Sequence, residues 1–250
     1  MNRLMEKPRL VSQDHYLLRI GFCPGRSLPG QFITVRISNR HDPLLRRPFS
    51  IFNHEGGIIE IIVKTVGTGT ELLVRRDPGE IDVIGPLGTG FTLPQGGRVL
   101  VAGGGVGNAP LYHLARRLAE SRCDVTYLYG ARTRSFIYLA DRFRDIADRF
   151  ILATDDGSEG REGLVTDIAA ELIEAESFDM IYACGPTAMM RTIVRLANGT
   201  PVQVSVETYF GCGTGLCSGC SVETAGVLKR ACIDGPVFFG APLNWDSVPD

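Results

Sequence analysis

Four of the seven cysteines of this 250-residue chain lie between positions 212 and 232. They are Cys212, Cys217, Cys220 and Cys232, in the spacing C-x4-C-x2-C followed by eleven residues and the last cysteine. Cysteine thiolates are soft ligands for zinc and for iron–sulfur clusters, and pairs of thiols can also form disulfides. Glycine lets a backbone bend closely around sulfur and leaves its N–H groups free to donate, and four glycines punctuate this segment: Gly211, Gly213, Gly215 and Gly219. The segment therefore has the residues for thiolate ligation of a metal.

The uneven cysteine spacing favours one kind of centre. A structural zinc site usually pairs two C-x2-C arms, whereas this segment has a close trio and one distant cysteine, which is typical of plant-type [2Fe-2S] ferredoxins. A zinc site and disulfides remain the alternatives.

Residues 1–11 are charged and lack the apolar core of a signal peptide, and no apolar run approaches the roughly 18 residues of a membrane span. We expect a soluble, cytoplasmic protein, and disulfides are rare in that compartment.

The composition limits the size of the hydrophobic core and the kinds of partner that the chain can bind. The chain is 44% apolar, which is ample for one or two hydrophobic cores at this length. Its net charge of −2 does not indicate the excess of positive charge that is typical of nucleic-acid-binding proteins.

The first third of the chain has the pattern of an antiparallel β-sandwich or small β-barrel. Short alternating runs, such as 31–37 and 58–64, are separated by proline–glycine turns. The segment Arg47-Pro48-Phe49-Ser50 could present a guanidinium to a diphosphate and a hydroxyl to a ring edge, although an arginine beside a strand is more often solvated. The loop 67–70 is typical of a glycine loop that opens a short helix, where its N–H groups could hold a phosphate, or it is an ordinary hairpin turn.

The spacing of apolar residues changes at about residue 98, where the middle part of the chain begins. An apolar run at 98–102 is followed by the glycines Gly103, Gly104, Gly105 and Gly107 and by a helical pattern at 111–119, which predicts a dinucleotide site. Asn108 stands where the dehydrogenase fingerprint has its third glycine. The acidic residue expected after the next strand, 125–129, is also missing, and Arg132 follows instead.

Further strands at 150–154, 180–183 and 202–206 alternate with helices around 139–148, 165–176 and 187–197, which predicts a parallel, doubly wound α/β sheet. Ligands of such sheets bind at the carboxyl ends of the strands. Cys184-Gly185-Pro186 occupies that position after the fourth strand. Asp155 and Asp156 follow the third strand and would repel a 2′-phosphate, which favours NAD over NADP, whereas Arg132 and Arg134 favour the opposite choice.

Together, the arginine–proline–aromatic–serine strand and the glycine–threonine loop resemble the flavin-binding barrel of the ferredoxin–NADP reductase superfamily. The resemblance implies that Arg47 and, in the loop, Gly69 and Thr70 hold the FAD diphosphate, and that Ser50 bonds the isoalloxazine edge. It also implies three further sets of contacts: Pro48 and Phe49 within the flavin strand, Val63, Lys64 and Thr65 at the adenosine end, and Cys184, Gly185 and Pro186 beside the nicotinamide. The resemblance thus implies that Ser50 and Cys184 are the residues closest to the flavin and nicotinamide rings, between which the hydride passes.

Over nearly its whole length the chain resembles the electron-transfer subunits of NAD-dependent dihydroorotate dehydrogenases. The resemblance is carried by the motif at 155–167, by Glu207 ahead of Gly211-Cys212-Gly213, and by the segment 232–238. It implies an α+β multidomain protein with an FAD-binding β-barrel at 1–95, an NAD-binding α/β domain at 96–206 and a ferredoxin-like [2Fe-2S] module at 207–250.

The same resemblance implies a role in pyrimidine biosynthesis, with electrons passing to or from a catalytic, FMN-containing partner in a heterotetramer of two subunits of each kind. Flavin subunits of hydrogenases, sulfur reductases and NADH-dependent ferredoxin reductases share this architecture. A non-catalytic nucleotide-binding module with a structural zinc loop is the alternative from another class.

Overall fold

The computed structural model describes residues 2–22, 25–38 and 42–249, so Cys23 lies outside the described residues. The strands within these ranges form an eight-stranded, a seven-stranded and a two-stranded sheet. No helix in the same ranges combines the length and the apolar character needed to cross a membrane.

The N-terminal sheet is antiparallel, as predicted, and curls around its own core. Isoleucines on alternate positions of its strands, such as Ile59 and Ile61, are fully buried, while Glu60 between them lies on the other face. Its order is β7-β1-β3-β6-β5-β4-β8, with β2 beside β3. The strands are β1 (Arg3–Leu4), β2 (Arg9–Leu10), β3 (His15–Gly21), β4 (Phe32–Val35), β5 (Arg47–Glu55), β6 (Ile58–Lys64), β7 (Gly79–Glu80) and β8 (Val83–Leu87), and the predicted short helix α1 (Thr68–Val74) lies between β6 and β7.

The central sheet contains the five predicted strands in parallel, in the order β11-β10-β9-β13-β14. Helices cover both faces, and successive residues of β9 therefore enter opposite cores: Val99 and Val101 enter one, Leu100 and Ala102 the other. The elements are β9 (Gly97–Gly104), α2 (Asn108–Glu120), β10 (Cys123–Ala131), α3 (Ala140–Arg144), β11 (Arg149–Thr154), β12 (Arg161–Glu162), α4 (Val165–Ala175), β13 (Met180–Cys184), α5 (Thr187–Leu196) and β14 (Val202–Ser205).

Two features of this region differ from the prediction. Helix α3 is only five residues long because the chain tightens into 3₁₀-type turns after it, with the N–H of Ile146 donating to the Phe143 carbonyl. The short strand β12 extends the parallel sheet beyond β11.

The C-terminal region forms a hairpin of β15 (Ser221–Thr224) and β16 (Val227–Arg230) and returns to the central sheet as β17 (Val237–Phe239). Strand β17 pairs antiparallel with β14, a connection that the sequence reading did not predict. The thiol-bearing segment is thereby fastened at both ends to the edge of the nucleotide-binding sheet. The boundaries at 95/96 and 206/207 stay a prediction.

The barrel and the central sheet are joined by an aromatic and ionic contact. Phe52 of β5 stacks on Tyr112 of α2 with ring centroids 4.4 Å apart. The Arg142 guanidinium lies 4.8 Å and 4.6 Å from these two rings and donates to the Glu60 carboxylate at 2.7 Å. This contact fixes the barrel against α2 and α3, next to the carboxyl ends of the parallel strands.

Candidate functional site

Two cavities lie between the barrel and the parallel sheet. The larger, of about 690 Å³, is called here the nucleotide cavity, and the smaller, of about 310 Å³, the barrel cavity. Lys64, Val106 and Glu207 line both cavities, so that the two are adjacent. Ligands in the two cavities would therefore meet at these three residues.

The barrel cavity collects most of the residues that the sequence assigned to a flavin. Its predicted lining residues are Arg47, Pro48, Phe49, Ser50, Lys64 and Thr70. Val63 does not line it, because its side chain is fully buried in the barrel core. Thr65 does not line it either, and its N–H and hydroxyl both donate to the Asp14 carbonyl, at 2.9 Å and 3.3 Å.

Arg47 lies beside the first turn of α1, which contains Gly69 and Thr70. The Arg47 guanidinium donates to the Leu45 carbonyl at 2.7 Å and lies so close to Gly69 that a Cβ there would be 3.0 Å from its Nε. The Thr70 hydroxyl is occupied within the loop, since it accepts from the N–H of Val66 at 3.0 Å and donates to the Gly67 carbonyl at 2.9 Å. Thr70 therefore shapes the loop, and the N–H groups of the first helical turn stay available for an anion.

Another wall of the barrel cavity comes from the end of β14 and the segment that follows it. Ser205, Glu207, Thr208 and Phe210 line the barrel cavity, and Phe210 stacks on Phe32 of the barrel with ring centroids 4.9 Å apart. Ser50 faces the same space from β5, where it pairs with Phe32. A cavity that combines apolar side chains such as Phe32 and Ile62 with the Arg47 guanidinium fits a flavin and its diphosphate.

The nucleotide cavity is built at the point where strand order reverses, between β9 and β13. Gly104, Gly105 and Gly107 of the glycine turn line it, whereas Gly103 packs behind, where a Cβ would be 2.0 Å from the Asn108 Oδ1. The turn after β13 also lines it, through Gly185 and Pro186. This is the position at which a doubly wound sheet binds a dinucleotide.

The two turns approach each other more closely than side chains would allow. A Cβ on Gly107 would be 2.5 Å from the carbonyl carbon of Cys184, and one on Gly185 would be 3.1 Å from the Gly104 Cα. Cys184 is 1% exposed and does not line either cavity. Burial raises the pKa of its thiol well above the ordinary value, so the thiol is neutral. Its place beside a nicotinamide stays a prediction.

The two acidic residues predicted to select the cofactor have different positions. Asp155 lines the nucleotide cavity with Arg132, and burial raises the pKa of its carboxyl while Arg132 lowers it. Asp156 does not line the cavity, and its carboxylate accepts from the N–H and the hydroxyl of Ser158, at 3.0 Å and 2.6 Å. The Arg134 guanidinium is paired with Glu159 at 3.3 Å.

Two residues of this site were not assigned a role from the sequence. Glu207 lies just after β14, at the junction of the cavities, where desolvation raises the pKa of its carboxyl and Lys64 lowers it. Its position after a parallel strand was the available signal. His15 of the barrel lines the nucleotide cavity, is 1% exposed and has its Nδ1 2.8 Å from Asp14. No sequence motif marks it.

The thiol segment surrounds its sulfur atoms with backbone donors. The Sγ of Cys212 accepts from the N–H groups of Thr214 and Cys217, both at 3.4 Å, and these bonds lower the pKa of its thiol to about 6. The Sγ of Cys232 accepts from Gly215 at 3.1 Å, and the Sγ of Cys220 accepts from the N–H of Cys232 at 3.5 Å. Backbone N–H groups directed at sulfur stabilise thiolates and tune the potential of a bound cluster.

These contacts sort the four thiols into two pairs. Cys212 and Cys217 form one, in which Cys217 is exposed, and Cys220 and Cys232 form the other, which is buried. Among residues 2–22, 25–38 and 42–249, no three His, Cys, Asp or Glu side chains converge as ligands of a single ion. Burial raises the pKa of Cys232 to about 12, so this thiol ionises only beside a cation. Two separate thiol pairs fit the two irons of a [2Fe-2S] cluster better than one tetrahedral zinc.

Comparison with known proteins relates the cysteine segment and the parallel sheet to known iron–sulfur and NAD-binding domains. Residues 207–244 match the family model for the iron–sulfur cluster binding domain of dihydroorotate dehydrogenase B, and residues 100–195 match the oxidoreductase NAD-binding domain. The dihydroorotate dehydrogenase B (NAD(+)) electron transfer subunit of Geobacillus thermodenitrificans is 42% identical over 241 residues, covering 92% of this chain and 93% of the relative. The corresponding subunit of Desulforamulus reducens is 41% identical over 230 residues, covering 88% of each chain.

Solved structures agree on the fold. A structure described as an NADH-dependent reduced ferredoxin-NADP oxidoreductase, studied for flavin-based electron bifurcation, has a TM-score of 0.90 and 34% identity, covering 99% of this chain and 91% of that one. A ferredoxin NADP+ reductase from Neisseria gonorrhoeae has a TM-score of 0.67 at 16% identity, covering 80% and 91% of the two chains, and shares the fold alone.

Proposed function

This chain belongs to the family of dihydroorotate dehydrogenase B electron transfer subunits, and we propose that it carries electrons between NAD(H) and a catalytic dihydroorotate dehydrogenase subunit through FAD and a [2Fe-2S] cluster. It is thus an NADH-linked flavoprotein oxidoreductase subunit of pyrimidine biosynthesis. The substrate is oxidised on the partner chain.

One observation supports this order of transfer above the others. Lys64, Val106 and Glu207 line both cavities, so a flavin in one would lie next to a nicotinamide in the other. The thiol segment is close to the barrel cavity as well, because a Cβ on Gly213 would be 3.8 Å from the side chain of Phe32, which lines that cavity. Nicotinamide, flavin and cluster sites therefore follow one another across the molecule.

The residues of each site have separate tasks in this proposal. Arg47 and the first turn of α1, with Gly69 and Thr70, hold the FAD diphosphate, and Ser50 with Pro48 and Phe49 holds the ring. When bound there, FAD would supply two-electron exchange with the nicotinamide and one-electron exchange with the cluster. For the dinucleotide, the glycine turn binds the diphosphate, Gly185 and Pro186 lie beside the nicotinamide, and Asp155 meets the adenosine ribose.

Four cysteines, Cys212, Cys217, Cys220 and Cys232, are the proposed cluster ligands. The exposure of Cys217 supports an electron exit on that side, towards the partner subunit. We propose an assembly of two electron-transfer and two FMN-containing catalytic subunits. A cytoplasmic location is supported by the six described cysteines, all of which are free thiols.

The test is reconstitution with the catalytic subunit encoded by the same organism. Co-purification of the two chains, with dihydroorotate-dependent reduction of NAD+ only when both are present, is the expected result. The control replaces this chain by its Cys217→Ala variant at equal flavin content. NAD-linked turnover by the catalytic subunit alone would refute the proposed function.

A second candidate is favoured by the similarity to the NADH-dependent reduced ferredoxin-NADP oxidoreductase structure, at 34% identity over 99% of this chain. In that case the chain would serve in an NADH-dependent reduced ferredoxin-NADP oxidoreductase, and its partner would not oxidise dihydroorotate. Affinity purification of the chain from its own cells, followed by identification of the co-purifying subunit, separates the two. A dihydroorotate-oxidising partner supports the first function.

A further inference from the structure

The glycine turn between β9 and α2 is held by two buried side chains that lie outside both cavities. Asn108 is fully buried, and its Nδ2 donates to the Gly105 carbonyl at 2.9 Å and to the Gly130 carbonyl at 3.2 Å. Its Oδ1 accepts from the Tyr127 hydroxyl at 3.1 Å, which fixes the orientation of the amide. Asn108 thus ties the turn to the end of the neighbouring strand β10.

Tyr138 holds the same turn from the other direction. Its side chain is fully buried, and its hydroxyl lies 3.3 Å from the Gly105 carbonyl and 3.2 Å from the Val106 carbonyl, as one donor shared between two acceptors. Burial raises the pKa of this phenol well above the ordinary value, so it keeps the proton that it donates.

The position of Tyr138 is fixed by both halves of the molecule. Its backbone N–H donates to the Tyr129 hydroxyl at 3.1 Å. On the barrel side, the ring of His15 packs on it with centroids 4.9 Å apart. The flavin-binding barrel therefore contributes to holding the loop of the other domain.

From these contacts we infer that Asn108 and Tyr138 are positioning residues for the dinucleotide, because they turn the Gly105 and Val106 carbonyls into the protein and leave N–H groups towards the diphosphate. The inference rests on the proposed function, in which the nucleotide cavity binds NAD(H). A carbonyl oxygen carries partial negative charge and repels a phosphate, whereas successive N–H groups attract it. Asn108, which breaks the glycine fingerprint, thus has a role that a glycine could not supply.

Tyr138→Phe is the direct test, since it removes the hydroxyl and keeps the ring that packs against His15. Losing a buried hydrogen bond that orients the turn should weaken NAD+ binding about 5- to 20-fold, measured by isothermal titration calorimetry of the FAD-loaded protein. In steady state with an artificial acceptor, KM for NADH should rise by a similar factor while kcat changes less than about twofold. A second variant, Asn108→Asp, keeps the shape but loses the donor and should weaken binding in the same way.

Tyr182→Phe is the matched control, because the Tyr182 hydroxyl donates to the Thr92 carbonyl at 2.7 Å and lines neither cavity. A merely structural role would make both tyrosine variants lose stability alike and leave NAD+ binding unchanged. Equal affinity in Tyr138→Phe and Tyr182→Phe, with an unmodified protein that binds NAD+, would overturn this inference alone. An unmodified protein that binds no NAD+ would overturn the proposed function and the inference with it.

Discussion

The backbone N–H of Gly215 donates to the Sγ of Cys232 over 3.1 Å, across seventeen positions of the chain. Gly215 has a φ of +81°, and a Cβ at this residue would be 2.7 Å from the Ile233 Cγ1. The residue therefore needs both the left-handed conformation and the missing side chain of glycine. This contact joins the cysteine trio to the distant fourth cysteine.

Gly215→Ala should impair the cluster site without unfolding the rest of the chain. Both the strained φ and the clash with Ile233 move the N–H donor away from Cys232. We expect iron content to fall well below that of the unmodified protein, with full FAD, measured after anaerobic purification. Gly226→Ala is the control, because Gly226 also has a positive φ of +75° but no neighbour within 4 Å of an added Cβ. Equal iron content in the two variants would contradict the role of Gly215.

Arg47→Ala should purify with less than one FAD per chain. The guanidinium lines the barrel cavity beside the first turn of α1, and losing a charge-assisted diphosphate contact costs on the order of 1.5–3 kcal/mol. Flavin content is measured after dialysis at low FAD concentration. Arg46→Ala is the control, because Arg46 pairs with Asp82 at 2.6 Å and does not line the cavity. Full FAD retention by Arg47→Ala would show that Arg47 does not hold the diphosphate.

Asp155 should set the preference for NADH over NADPH. Its carboxylate lines the nucleotide cavity, where it would repel a 2′-phosphate, and Arg132 is close by to bind one once the carboxylate is removed. We expect Asp155→Ser to raise kcat/KM for NADPH relative to NADH by about tenfold, which corresponds to about 1.4 kcal/mol. Asp156→Ser, outside the cavity, should leave the ratio unchanged. No preference in the unmodified protein would disprove the assignment at the outset.

His113 should make the protein less stable in mild acid. It is 5% exposed on α2, and burial first, then His54, Arg117 and Arg116, lower its pKa from 6.5 to about 4. Between these two values the unfolded chain binds the proton and the folded chain does not, so the free energy of unfolding decreases as the pH falls.

The measurement is urea unfolding of the unmodified protein and of His113→Gln at two pH values. Between about pH 7 and about pH 5, His113 accounts for a loss of about 2 kcal/mol, which should be missing in His113→Gln. His15 and His54, whose pKa values are also lowered by burial, act in the same direction and remain in both proteins. An identical loss in the two proteins would contradict the assignment to His113.

The sequence predicted what depends on local pattern. The alternation around Ile59 and Ile61 predicted an antiparallel sandwich or small barrel, and the apolar run at β9 predicted a buried parallel strand. The cysteine spacing predicted the cluster segment. The order of three sites along the chain then indicated the family. Each of these follows from a short-range regularity that a single segment carries.

Contacts between distant segments were not predictable in the same way. Strand β17 carries no signal that it will pair with β14, and nothing in the sequence places His15 against Tyr138 or Glu207 against Lys64. The burial of Cys184 depends on how closely Gly107 approaches it, which is a property of two turns rather than of either one. Asn108 was noticed as a departure from a motif, and only its hydrogen bonds give it a role.

The most direct test of the relay is electron paramagnetic resonance of the anaerobic protein after NADH is added, with the visible spectrum recorded on the same sample. The unmodified protein should contain iron and FAD, lose its flavin absorption on addition of NADH, and develop the signal of a reduced [2Fe-2S] cluster. In Cys217→Ala the flavin should still be reduced, because hydride transfer precedes the cluster, while the cluster signal should be absent or altered. Zinc in place of iron, or a cluster that stays oxidised while the flavin is fully reduced by NADH, would contradict the account.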